Sequence, residues 1–221
     1  MNIRLIHILN EVGSEREKNS ILSLSTLINL GIDYKQQINP RYLGEDWKIK
    51  PAITQSEHTN HGPGHYGASQ SFKQAILENF TNDLDALIVC ECDCVITCSP
   101  EEFVEKVKEG LKFSENHNLS HFSLGSNYCN GFLQSPFNEV YDESNFYVTH
   151  KIIMAHCLVF PKKTKEVLFQ SFEKYSWDSP DIWFNEIFWR NGLNRFGILK
   201  EKVTIQHEGI SLIDNVWKPN Q

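Results

Sequence analysis

The sequence has no Lys/Arg-rich run, and its 21 basic side chains are outnumbered by 28 acidic ones for a formal net charge of −7. A nucleic-acid backbone calls for clustered cations, so no nucleic-acid partner is expected. A long hydrophobic run is also missing. "MNIRLIHILNEVG" offers only a short apolar stretch before Glu11 and Gly13, which suits neither a secretion leader nor a membrane span. A cytoplasmic chain with no transmembrane segment is therefore expected. There is no internal repeat and no low-complexity tract. Cysteines number six, and four of them crowd into residues 90–98. Strand geometry makes mutual pairing there awkward, so they are expected to be reduced.

What remains is a chain rich in aromatics, with 14 Phe, 7 Tyr and 5 Trp among 221 residues. That length suits one α/β domain with a substantial core. Residues 3–9 form an apolar run that reads as a first strand buried on both faces. A helix is predicted over 15–30, closed by Gly31, and a second strand over 33–39, stopped by Pro40. "HTNHGPGHYG" reads as a loop with three histidines. Ala68, Phe72, Ala75, Ile76 and Phe80 fall at helical spacing, which predicts a helix over 67–80. Residues 84–90 are the most apolar strand. Ser99, Pro100 and Glu102 signal a capped helix start. A strand is predicted over 119–124, two strand pieces within "YVTHKIIMAHCLVFP", and a helix over 162–175. A helix capped by Ser179-Pro180 runs to about Asn191, and a last strand covers 197–205. Strands alternating with helices argue for a mostly parallel central sheet between helical layers.

The stretch "ALIVCECDCVIT" (residues 86–97) poses the chemical question. Side chains alternate along a strand. Cys90, Cys92 and Cys94 would share one face, and Glu91 and Asp93 the other. Two acids make sense where the strand runs out at the carboxyl edge of the sheet, the edge at which open α/β folds bind ligands. Carboxylate pairs suit hard cations such as Mg²⁺ or Mn²⁺. Asp93, at the strand end, is expected outside the core. Two other readings stand beside this one. An isolated E-x-D can be a solvated strand end. C-x-C-x-C can hold zinc with nitrogens from His58, His61 or His65, although its spacing departs from the usual C-x₂₋₄-C.

An apolar strand ending in acid-x-acid between two helices resembles the D-x-D region of glycosyltransferases with the GT-A fold. Here that region reads "DALIVCECDCVI". The preceding helix, "HYGASQSFKQAILENF", matches the family's donor-pocket helix. "IMAHCLVFPKKTKEVL" and "WDSPDIWFNEIF" match its later strand-helix and acidic helix. "VTIQHEG" resembles a late strand ending in a metal-binding histidine, and "HEGISLIDNVWKP" a retaining branch's H-x-x-G-x-x-K-P-W tail with altered spacing. The resemblance spans residues 3–219. It departs from the family at Glu91, one methylene longer than the usual Asp.

The resemblance implies a single GT-A-like (Rossmann-like) domain over 1–221, with a nucleotide-binding half of about 1–98 and an acceptor half and tail of about 99–221. It implies a metal-dependent glycosyltransferase of hexosyltransferase type. The donor would be a nucleoside-diphosphate sugar, a UDP-sugar first, and the acceptor an unidentified molecule such as a glycan or lipid-linked sugar. Asp93 would bind Mn²⁺ or Mg²⁺, with Glu91 and His207 completing the metal site. Glu91 could instead reach the ribose hydroxyls. Asn10 and Glu11 would face base and ribose, Cys92 would offer its backbone, and Ser69 would touch the donor. Lys218 would reach phosphate, with Trp217 packing beside it. Asp181 would act as general base, which implies inversion, or would bind the acceptor hydroxyl. For His156 a satisfied core position is as natural as a sugar contact, and for Lys73 a solvated helix face. The rival readings are a sugar-phosphate nucleotidyltransferase, whose Gly-rich basic loop "NEVGSEREKNS" fits poorly, and a non-enzymatic zinc- or carbohydrate-binding module.

Overall fold

A computed structural model describes residues 1–10, 13–39, 44–45, 48, 62–125, 144–150 and 156–206, with the backbone of three further short strands. The apolar run expected to start the chain is β1 (Ile3–Leu9). It pairs in parallel with β2 (Asp33–Ile38) on one side and β3 (Ala86–Cys90) on the other. The main sheet has eight strands in the order β2-β1-β3-β8-β5-β9-β7-β6. Its second half contains β5 (Phe122–Ser123), β6 (Glu139–Val140), β7 (Phe146–Thr149), β8 (Cys157–Pro161) and β9 (Phe196–Leu199). Strands β7 and β8 run against their neighbours, and the other six share one direction. The expected mostly parallel α/β sheet is the fold found.

Alternation along the central strands sorts side chains into two cores. Leu5, Ile88 and Val159 pack on one face, against Leu24 and Leu27 and against Phe103, Val107 and Phe113. These come from α1 (Glu15–Ser25), the 3₁₀ turn Thr26–Leu30 and α3 (Pro100–Asn116). Ile6, Val89 and Phe160 pack on the other face. They meet Phe72 and Ile76 of α2 (Pro63–Asn79), Phe172 of α4 (Lys165–Lys174), and Trp183 and Phe184 of α5 (Pro180–Arg190). Both faces of the sheet are covered, and so its central strands read as continuous apolar runs. No helix among the described residues is long and apolar enough to cross a membrane.

Several boundaries differ from the expected ones, each for a local reason. The helix predicted over 15–30 tightens into a 3₁₀ turn after Ser25. There the Thr26 hydroxyl bonds the Ser23 carbonyl at 2.7 Å and competes with the helical ladder. Gly31 then closes the turn at φ 83°. Helix α2 starts four residues early because Pro63 takes its first turn. Ser99 caps α3 as expected, accepting from the Glu102 N–H at 3.1 Å. Ser179 gives no side-chain cap; the Ser179 N–H instead donates to Asp178 Oδ1 at 2.8 Å. The strand predicted over 197–205 divides. Strand β9 stays in the main sheet, while β10 (Thr204–Gln206) pairs antiparallel with β4 (Cys94–Ile96). The polar run Lys200-Glu201-Lys202 separates them.

Candidate functional site

Parallel pairing in the register His7↔Cys90 brings the carboxyl ends of β1 and β3 to one edge. The chain leaves β1 at Asn10. It leaves β3 through a turn over 91–93, in which the Cys94 N–H donates to the Glu91 carbonyl at 3.1 Å. The two exits touch, with Asn10 Nδ2 3.4 Å from Cys92 Sγ. Helix α1 starts here, capped by Ser14, which accepts from the Glu17 N–H. Its first turn turns back on the strand ends. Glu17 Oε1 accepts from the Asn10 N–H at 2.6 Å, and Arg16 forms an ion pair with Asp93 Oδ2.

Asp93 is therefore not the solvent-facing acid expected of a strand end. It is 3% exposed. A buried carboxylate calls for compensation, which the Arg16 guanidinium provides. Its second oxygen, Oδ1, is buried and has no hydrogen-bond partner among the described residues. Glu91 points elsewhere, its Oε2 accepting from Gln206 Nε2 at 3.0 Å. Gln206 arrives there because β10 pairs with β4 in the register Gln206↔Cys94.

A chain of polar groups supports the turn from below. The Ser20 hydroxyl donates to the Cys94 carbonyl. Its oxygen is then free to accept from His7 Nε2 at 2.9 Å, and His7 Nδ1 accepts from the Tyr34 hydroxyl at 3.0 Å. This donor accounting assigns the proton of His7 to Nε2. Burial lowers the pKa of His7 to about 4, so the ring is neutral and the chain keeps one polarity. Burial likewise pushes the Cys92 thiol up to about 12, with the Glu91 charge adding to it. Cys92 is thus a thiol, not a thiolate.

The cysteines do not line up as a strand face. Strand β3 ends at Cys90, and the turn carries Cys92 towards Asn10. Cys90 and Cys94 instead meet Cys157 at the start of β8, opposite Cys90 in the sheet. Beside them Gly125 has no room for a side chain. A Cβ there would lie 2.2 Å from His156 Nε2 and Thr204 Oγ1, and 2.5 Å from the Thr204 carbonyl oxygen. Gly125→Ala is expected to push β10 off this edge and cost roughly 1–3 kcal/mol, read from denaturant unfolding.

No family model and no curated protein sequence matches the chain. Solved structures with a similar layout include A197 from STIV, at 15% identity and a TM-score of 0.46, covering 98% of this chain and 93% of that one. Another is S. aureus TarS 1-349, at 13% identity and a TM-score of 0.46, covering 92% and 59%. A third is apo mouse xyloside xylosyltransferase 1, at 11% identity and a TM-score of 0.44, covering 90% and 85%.

Of the residues singled out from sequence, the structure brings together Asn10, Glu91, Cys92 and Asp93. Ser69 lies fully buried on α2, and its hydroxyl donates to the main-chain oxygens of His65 and Asp178. It ties α2 to the approach of α5. Asp181 sits in the first turn of α5, where its Oδ1 accepts from the Ile182 N–H at 2.9 Å. Lys73 donates to the Phe172 carbonyl in the last turn of α4. His156 is fully buried. His65 belongs to the first turn of α2. Glu11, His58, His61, His207 and the side chains of Trp217 and Lys218 lie outside the described residues. Sequence reading missed Arg16, Glu17, Ser20 and Gln206. The usable signal was "SERE" at 14–17, four residues beyond the first strand, which places an acid and a base in the first turn of a helix rooted at the site.

Proposed function

We propose that the chain is a metal-dependent glycosyltransferase using a nucleoside-diphosphate sugar, with a UDP-sugar as the first donor to test. The observation that carries this reading is the convergence of Asn10, Glu91, Cys92 and Asp93 at the carboxyl ends of two adjacent parallel strands. That edge is the ligand edge of open α/β sheets. In this reading the chain is one domain, with the nucleotide half over 1–98 and the acceptor half over 99–221.

The residues present fit a hard divalent ion. Asp93 keeps one buried oxygen, Oδ1, with no hydrogen-bond partner among the described residues, and carboxylate oxygens are what Mn²⁺ and Mg²⁺ prefer. Asp93 would hold the ion; Glu91 would join it by turning from Gln206, from which its Oε2 accepts, and His207, the residue after Gln206, is the proposed third ligand. Such an ion offsets the negative charge that grows on a departing nucleoside diphosphate. Arg16, paired with Asp93, adds a fixed cation at the same place. The neutral chain Tyr34–His7–Ser20 holds the turn through the Cys94 carbonyl, so the carboxylates keep their positions as charge develops. Asn10 is anchored by Glu17 and presents its amide beside Cys92. Lys218 is the proposed phosphate contact, Glu11 the ribose contact, and Asp181 the base or acceptor ligand.

A thermal-shift screen of nucleoside diphosphates, with and without Mn²⁺, tests this. Ligand at about 100 times its Kd adds roughly 2.7 kcal/mol of stability. UDP should raise the melting temperature only when Mn²⁺ or Mg²⁺ is present. The absence of a shift with every nucleoside diphosphate in the presence of metal would rule the reading out.

A further inference from the structure

Three thiols converge at a point the proposed transfer chemistry does not use. Cys90 ends β3, Cys94 starts β4 and Cys157 starts β8. Their sulfurs all lie within 4.8 Å of one another, and all three residues are fully buried. The Cys90 and Cys157 sulfurs are 3.6 Å apart. Zinc–thiolate bonds of about 2.3 Å place tetrahedral sulfurs roughly 3.8 Å apart. The triad therefore already has the spacing of ligands around one soft ion, with little movement required.

We propose that Cys90, Cys94 and Cys157 form a thiolate site for one soft divalent cation of the zinc type. It is distinct from the carboxylate site, since no acid belongs to it. On binding, each thiol releases its proton to solvent as its sulfur–metal bond forms. His156, though next to Cys157 in sequence, stays outside this cluster of ligand atoms. Structural zinc takes four donors, so the fourth position is left to a ligand from outside the triad.

The place of the site states its role. The three cysteines belong to the strands on either side of the 91–93 turn and to the antiparallel neighbour of β3. An ion here would fasten the turn that carries Glu91 and Asp93, as a structural metal rather than a reacting one. The two sites also differ in softness: thiolates select zinc or cadmium, carboxylates select magnesium or manganese.

The test uses the full chain, purified in reductant and stripped with chelator. Titration with Cd²⁺ should produce a thiolate-to-metal charge-transfer band that saturates at one ion per chain, and Zn²⁺ should displace it. Mg²⁺ should leave it unchanged. Cys157→Ser should lose the band, while Cys98→Ser, at a half-exposed position outside the triad, should keep it. Should Cys157→Ser fail to fold, alkylation of the native protein decides instead. Carried out in urea just below the unfolding midpoint, where the buried thiols open transiently, alkylation of Cys90, Cys94 and Cys157 should be slower with Zn²⁺ bound than without it, as mapped by peptide mass. Absence of the band in folded wild-type protein overturns the proposal. So does protection at other cysteines, or a Cys90–Cys157 disulfide formed in place of metal binding.

Discussion

Asp93→Asn is expected to abolish Mn²⁺-dependent nucleotide binding and to destabilise the protein by about 3 kcal/mol. The two effects have one origin. Asp93 is buried and paired with Arg16, whose side chain is only 18% exposed. Removing one partner of such a pair takes away the main compensation of a buried charge, and that costs more than the pair itself contributes. Asparagine keeps the shape but supplies neither the charge that holds Arg16 nor the anionic oxygen a hard cation needs. Equilibrium urea unfolding measures the first effect, and UDP titration with Mn²⁺ the second. The double variant Arg16→Met/Asp93→Asn should regain most of the stability and none of the binding. An Asp93→Asn protein as stable as the wild type would show that the ion pair does not hold the turn.

Acid is expected to unfold this protein well before general carboxylate titration completes. His7 and His121 are buried, and desolvation lowers their pKa values to about 4 and about 3. His156 is lowered by burial as well. In the unfolded chain each would titrate near 6.5. Below pH 6.5 the unfolded chain takes up protons that the folded chain refuses, so stability falls as pH falls. For His7 the loss runs from about pH 6.5 down to about pH 4 and then stops, because the folded ring begins to titrate too. At roughly 1.4 kcal/mol per pH unit, His7 and His121 each remove about 3 kcal/mol by pH 4. A domain whose whole stability is about 5–15 kcal/mol has little left after that. Urea midpoints measured from pH 7.5 to 4.5 should fall steadily below 6.5. His121 sits among Phe160, Phe188 and Phe196, so His121→Leu should fit the site and flatten part of the slope. Stability that stayed constant from pH 7 to pH 5 would contradict these buried neutral rings.

The sheet was legible because its central strands announce themselves. A seven-residue strand at 3–9 with five apolar side chains, and an apolar run ending at Cys90, can be buried only between two helical layers, which is where they lie. The Ser99-Pro100 start was legible because capping chemistry is local. The exit of the acids from β3 was legible for the same reason. Their environment was not. Whether Asp93 meets solvent or Arg16 depends on how α1 docks, and no spacing rule fixes that. The third thiol, Cys157, lies in a strand 63 residues after Cys94 in sequence. It meets Cys90 only through the antiparallel pairing of β3 with β8. Strand β10 was merged with β9 because Val203 and Ile205 continue an apolar alternation, while the charged run between the two strands sends each to a different sheet.

A crystal structure with UDP and Mn²⁺, using the anomalous signal of manganese, decides whether Asp93 holds the metal. One manganese peak bonded to the Asp93 carboxylate is expected, with the diphosphate beside it at the carboxyl ends of β1 and β3. A manganese peak away from Asp93, or UDP bound at another edge of the sheet, would contradict that placement.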